Sequence, residues 1–137
     1  MAEWAFVALG SNLDDRDRHL AAGRAGLAAL PDTDLVAASA IEETPPLGGA
    51  VQGPYLNQMV LLKTDLEPRA LLTGCLAIEK SEGRVRRERW GPRTLDLDIV
   101  RYGAREVHET DLVVPHPELP NRPFWQRELA ELMPHVR

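Results

Sequence analysis

Two carboxylates two positions apart, Asp96 and Asp98, follow directly on a block of arginines. Side chains alternate along a strand. In the run 94–102 the two aspartates therefore share one face, and Leu95, Leu97 and Ile99 share the other. Aspartate is disfavoured in strands, so two on one face beside a cationic loop favour a metal site over a solvated edge. Mg2+ prefers hard oxygens and usually takes one or two carboxylates together with substrate phosphates. Five of the sixteen Lys+Arg residues lie in the ten positions 84–93: Arg84, Arg86, Arg87, Arg89 and Arg93. Guanidinium groups pair with phosphate oxygens, and Trp90-Gly91-Pro92 makes a constrained turn that aims Arg93 at the aspartate strand. Carboxylates for a divalent cation beside arginines for phosphate point to a nucleoside triphosphate. Phosphoryl transfer rests mostly on positioning and charge neutralisation, which such a set supplies.

Other chemistries fit less well. There is no Gly-x-x-x-x-Gly-Lys-Ser/Thr motif and no protein-kinase signature. The four histidines lack zinc spacing. Asp96 and Asp98 lie on one side of any substrate, so they cannot flank a glycosidic bond. Two alternatives stay open. One is a different Asp-x-Asp transferase, nucleotidyl or glycosyl, although nucleotidyltransferases put Gly-Ser shortly before their aspartates and Gly10-Ser11 lies far from Asp96 along the chain. The other is a ferredoxin-like module binding RNA through the arginines. Base-stacking sheets need surface aromatics, whereas only seven aromatics exist here and paired acids repel RNA.

The elements that must carry these residues follow from apolar spacing. At 137 residues, 44% hydrophobic and 27% charged, the chain reads as one domain, 1–137, with a real core. A net charge of -5 argues against general nucleic-acid binding. Cys75 is the only cysteine, so no internal disulfide can form, and it falls on an apolar helical stripe as core filler. No apolar run approaches the ~20 residues of a membrane span and no secretion signal is evident, so a cytoplasmic protein is expected.

In chain order, 4–9 reads as a buried strand turning at Gly10-Ser11-Asn12, with Asn12 available to cap a helix over 14–30. A second strand spans 35–43, with Leu35, Ala37, Ser39 and Ile41 on one side. The segment 44–54 is a Pro/Gly loop, either a binding loop or a long hairpin connection. A strand over 55–64 follows, with Asn57 polar at its loop-proximal end. Pro68 starts a helix with Leu71, Leu72, Cys75 and Ile78 inward, ended by Gly83. Glu79 in its last turn opposes the helix dipole and suits either a ligand or arginine partner or plain solvation. After the strand 94–102 come a short edge strand at Val107, the apolar run 112–114, a Pro-His-Pro at 115–117, an irregular stretch 121–124 and a short helix over 126–133. The order β-α-β-β-α-β predicts an α+β, ferredoxin-like fold, an antiparallel sheet with helices on one face.

These residues resemble one family, 6-hydroxymethyl-7,8-dihydropterin pyrophosphokinase of folate biosynthesis. The likeness runs from Phe6 to Phe124. It rests on Ala8-Leu9-Gly10-Ser11-Asn12, on Thr44-Pro45-Pro46-Leu47-Gly48 with Tyr55-Leu56-Asn57, on Arg89-Trp90-Gly91-Pro92-Arg93-Thr94-Leu95-Asp96-Leu97-Asp98-Ile99, and on Val114-Pro115-His116-Pro117 with Arg122-Pro123-Phe124. The resemblance implies transfer of pyrophosphate from ATP to the pterin hydroxymethyl oxygen, with release of AMP. It implies two Mg2+ ions on Asp96 and Asp98. Tyr55 and Phe124 would sandwich the pterin. Asn57 and the backbone of Thr44, Pro46 and Leu47 would read its edge, and Trp90 would pack over the closed site. Arg84, Arg86, Arg93, His116 and Arg122 would contact ATP phosphates, with Arg84 and Arg93 acting in catalysis. Glu79 and Ile99 would lie near the nucleotide. The partners implied are small molecules only, with no nucleic acid or membrane, and a monomer is expected. One departure stands out. Trp125-Gln126-Arg127-Glu128 is polar where the family commonly continues with an apolar run.

Overall fold

The computed structural model describes residues 2–13, 15–45, 54–83 and 94–136. Strand β1 (Glu3–Ser11) leads to helix α1 (Arg16–Ala28), then β2 (Thr33–Ala38), β3 (Glu42–Thr44) and β4 (Tyr55–Thr64). Helix α2 (Pro68–Ser81) precedes β5 (Asp96–Tyr102), the hairpin β6 (Val107–Glu109) and β7 (Leu112–Val114), and helix α3 (Pro123–Leu132). The main sheet has the order β2-β4-β1-β5, with β3 also paired to β4. All of these pairings are antiparallel, as the ferredoxin-like expectation requires.

The central strands β1 and β4 are buried on both faces, which matches their unbroken apolar runs. On one face, Val7, Leu9, Leu97 and Ile99 pack beneath Leu20 and Leu27 of α1 and Leu71 and Cys75 of α2. The two helices approach closely at glycines. A Cβ on Gly26 would lie 2.9 Å from Ile78, and one on Gly74 2.7 Å from Leu30. Cys75 is core filler as expected, and burial pushes its thiol up to about 12, so it is inert.

The opposite face is also covered, which corrects the expectation of helices on one side only. Trp125, Leu129 and Leu132 of α3 pack on Phe6, Ala8, Met59, Leu61 and Val100. Each such side chain contributes roughly 1.5–3 kcal/mol on full burial. The reason was present in the runs 5–9 and 59–62, which offer large side chains to both faces; a half-wet sheet would alternate with polar residues.

Other boundaries differ for local reasons. β1 continues through Gly10 and Ser11, which pair with Asn57 and Leu56, so the turn begins only at Asn12. The cap of α1 is Asp15, whose carboxylate accepts from the Arg18 amide at 3.2 Å, and not Asn12. The expected strand 35–43 is two strands. A bulge falls between Leu35 and Ala37, Ser39 turns in to donate its amide to the Met59 carbonyl, and Ile41 is exposed. Helix α3 starts at Pro123, so Phe124 is helical and not part of an irregular stretch.

Candidate active site

The sheet registers set the site. Glu42, Asn57, Gly10 and Asp96 lie in one row across β3, β4, β1 and β5. Tyr55 and Thr44 form the neighbouring pair on β4 and β3. Adjacent strands are ~4.8 Å apart, so Asn57 and Asp96 are separated by roughly 10 Å across the glycine strand. Gly10 has no side chain to fill that gap; a Cβ there would sit 3.5 Å from both Asn57 Oδ1 and Tyr55 Cδ1. A cleft of about 520 Å³, counting its open mouth, lies over this row. Ala8, Leu9 and Gly10 form its floor, and Thr44, Tyr55 and Asn57 one wall. Asp96 and Asp98 form the second wall, and Arg122, Phe124 and Trp125 at the start of α3 close the third side.

One half of the cleft suits a flat heteroaromatic ring. Tyr55 and Phe124 present aromatic surface, and Asn57 is buried with its amide donating to Thr44 Oγ1 at 2.5 Å. That bond fixes the orientation of the Asn57 amide and leaves its carbonyl oxygen toward Gly10.

The other half suits anions and cations. Asp96 and Asp98 are half-buried on the cleft side of β5, whereas Leu97 and Ile99 on the reverse side are buried in the helix-covered core. His116 Nε2 lies 3.6 Å from Asp98 Oδ1, beyond direct hydrogen bonding. The Glu118 amide donates to His116 Nδ1 at 3.1 Å, which leaves the ring proton on Nε2 facing the aspartate. The His116 ring stands edge-on to Trp125 at 4.9 Å, and its amide donates to the Val100 carbonyl on β5. The Arg122 guanidinium stacks over Trp125 at 4.4 Å, at the positive end of α3.

Seven of the expected residues thus converge on one cleft: Thr44, Tyr55, Asn57, Asp96, Asp98, Arg122 and Phe124. His116 touches its edge. Pro46, Leu47, Arg84, Arg86, Trp90 and Arg93 lie outside the described residues. The Ile99 side chain faces the helices, so only its main chain could meet a ligand. Glu79 is not solvated, and it is not among the described residues that line the cleft. It is 3% exposed, and its Oε2 accepts the Leu97 amide of edge strand β5 at 2.7 Å, between the two aspartates. Gly10, Ala8 and Trp125 were not anticipated as lining residues. The signal for Gly10 was its smallness at the end of an apolar strand, and for Trp125 its place directly after Phe124.

The family model for 7,8-dihydro-6-hydroxymethylpterin-pyrophosphokinase (HPPK) matches residues 6–134. The chain belongs to the HPPK family. It is 43% identical over 132 residues to the 2-amino-4-hydroxy-6-hydroxymethyldihydropteridine pyrophosphokinase of Methylorubrum extorquens, covering 96% of this chain and 84% of that one. The Pseudomonas aeruginosa protein of the same name is 42% identical over 137 residues, covering 100% and 85%. A crystal structure of an HPPK-DHPS in complex with substrates aligns with a TM-score of 0.72 at 12% identity. That alignment covers all of this chain and 41% of the other, and carries the HPPK fold alone.

Proposed function

We propose that this chain, a single domain, transfers the pyrophosphoryl group of ATP to 6-hydroxymethyl-7,8-dihydropterin in folate biosynthesis, giving the pterin diphosphate and AMP. The observation carrying this reading is the cleft itself. An aromatic and amide half and a two-carboxylate half meet across the Gly10 floor, in a chain that belongs to the HPPK family. The pterin ring enters between Tyr55 and Phe124, with Asn57 and Thr44 meeting its polar edge. Its hydroxymethyl oxygen then points toward Asp96 and Asp98. A bond forms between that oxygen and the β-phosphorus as the hydroxyl proton passes to solvent, the bond from the β-phosphorus to the α–β bridging oxygen breaks, and AMP leaves with the bridging oxygen.

The donor set fits Mg2+: two hard carboxylates, half-buried, facing the side where a triphosphate would complete the coordination. Asp96 and Asp98 would hold two such ions, which supply charge neutralisation to the phosphates. Arg122 and His116 would add positive charge and a proton donor at the same end, and Arg84, Arg86, Arg93 and Trp90 would complete the ATP side. Glu79 acts from beneath, by fixing the strand between the aspartates. We further propose a monomer in the cytoplasm. No helix of the described residues is long and apolar enough to cross a membrane.

The deciding assay supplies ATP, Mg2+ and 6-hydroxymethyl-7,8-dihydropterin and follows the nucleotide product. AMP is expected. ADP, or no pterin-dependent turnover, would overturn the reading. The alternative Asp-x-Asp transferases would release pyrophosphate or a nucleoside diphosphate instead.

A further inference from the structure

Helix α3 carries an acid where a core residue belongs. Glu128 is 1% exposed, on the face that bears Trp125, Leu129 and Leu132. Among the described residues, no N–H or O–H donor reaches either of its carboxyl oxygens. What faces it is another acid, Glu42 of β3. Two carboxyl groups can hydrogen-bond only when one keeps its proton. Burial and the neighbouring Glu42 charge push Glu128 up to about 9, so it is the group that keeps its proton. Glu42, accepting from Glu128 and then from Arg127, is held below its usual range as the ionised partner. The Arg127 Nε and Nη2 atoms reach the same Glu42 oxygen at 3.2 and 2.9 Å. One turn on, Glu131 accepts the Ala40 amide at 2.9 Å. Three consecutive contacts of α3 therefore grip the segment that enters β3.

That segment has little else to fix it from this side. β3 is three residues long and, among the described residues, pairs only with β4, and strands that short are weak in isolation. Yet it delivers Thr44, which accepts from Asn57 and lines the cleft. The start of helix α3 delivers Phe124 to the same half of the cleft, with Arg122 and Trp125 beside it. The outer flank of β3 is held by Arg16, which donates to Glu43 and to the Pro54 carbonyl, both at 3.0 Å.

We propose that Glu128 is a positioning residue: by seating Glu42 it ties β3 to α3 and sets the spacing between Thr44 and Phe124, hence the fit of the acceptor ring. The proposal rests on the pterin reading above for its ligand, but the contact itself can be tested without turnover. A merely structural Glu128 would be replaced well by an apolar residue of similar size, because buried polar pairs often add nothing to stability. A positioning Glu128 would need a hydrogen-bond donor.

The experiment compares wild type with Glu128→Gln, Glu128→Leu and Glu42→Ala at the half-buried partner. Two readouts are amide hydrogen exchange over residues 40–45 of the ligand-free protein, and AMP release with pterin varied at saturating ATP. Glu128→Gln, which keeps a donor, should match wild type in both. Glu128→Leu and Glu42→Ala should exchange faster, and their KM for pterin should rise about 10-fold, the scale of one lost hydrogen bond, with the KM for ATP within about twofold. Wild-type exchange and wild-type pterin KM in Glu128→Leu, or in Glu42→Ala should the leucine variant not fold, would overturn the proposal. If wild type releases no AMP, the functional reading fails, and the exchange comparison still decides the clamp.

Discussion

Asp98 and Glu79 are acids on and against the same strand, with opposite duties. Asp96 and Asp98 line the cleft, half-buried. Glu79 accepts the Leu97 amide from the helix side. Removing the cleft acids should therefore abolish chemistry and leave the fold. The double variant Asp96→Ala, Asp98→Ala is expected to melt near wild type in a thermal scan while releasing no AMP; normal release would exclude a metal role for the pair. Glu79→Ala should do the reverse in kind. It leaves a buried amide without that acceptor, at a cost of about 1–3 kcal/mol. Thermal unfolding should show a drop of several degrees, since 1 kcal/mol corresponds to roughly 2–4 °C near this chain length. Glu79→Gln, which keeps a carbonyl acceptor, should recover most of it. A Glu79→Ala melting point equal to wild type would rule this out. The two duties differed in legibility. Asp-x-Asp is self-contained, because strand alternation puts both on one face whatever surrounds them. The partner of Glu79 is 18 positions away and is chosen by how α2 meets the edge of β5.

Elements were legible where one chain segment decides them, and not where two must meet. Pro68 and Gly83 bracket α2 by local backbone preference. The strand pattern over 35–43 concealed a break, because the bulge at Leu35–Ala37 depends on how β2 meets β4, and that pairing is non-local. Helix α3 was foreseen as a short polar helix, yet Arg127, Glu128 and Glu131 are polar toward β3, not toward water alone. The α1–α2 contact gives a graded test of the packing between elements. Alanine for an interior helix glycine gains about 1 kcal/mol in propensity. At Gly26 the new Cβ meets three atoms of Ile78 at 2.9, 3.0 and 3.1 Å. Ile78 is β-branched and stiff, so the overpacking cost of roughly 1–3 kcal/mol should outweigh the gain. At Gly74 the clash is mainly with one terminal methyl of Leu30, at 2.7 Å, which can rotate aside. Gly26→Ala should therefore lower the melting temperature, and Gly74→Ala should leave it unchanged or raise it slightly. The opposite ranking in thermal unfolding would mean that the α1–α2 spacing relaxes as a unit.

At the scale of the molecule, both faces of one sheet are used for different ends. The face under α1 and α2 is dry core, and the face under α3 is core at one end and cleft at the other. The antiparallel, ferredoxin-like sheet followed from the order of elements. The second layer did not, because a buried acid in α3 reads as a solvated one until its surroundings are known. That acid makes stability depend on pH in a specific direction. Unfolded, Glu128 titrates at its ordinary value of 4.5; folded, burial and then Glu42 raise it to about 9. Between those values the folded chain holds a proton that the unfolded chain has released, so stability falls as pH rises. The contribution is fully present below 4.5 and lost as pH climbs through about 9. Glu42 works in the other window. Its depressed titration, from the Glu128 hydrogen bond and then Arg127, stabilises above 4.5 and is lost on acidification. The slope from Glu128 is at most about 1.4 kcal/mol per pH unit, reduced by its coupling to Glu42. Glu128→Gln cannot titrate, yet fills the same space. Its melting temperature minus that of wild type should therefore grow steadily from pH 5 to pH 8, while both proteins share every other titrating group. A difference that stayed constant over that range would mean Glu128 is ionised in the folded protein. The acid pair would then be bridged by something other than its own proton.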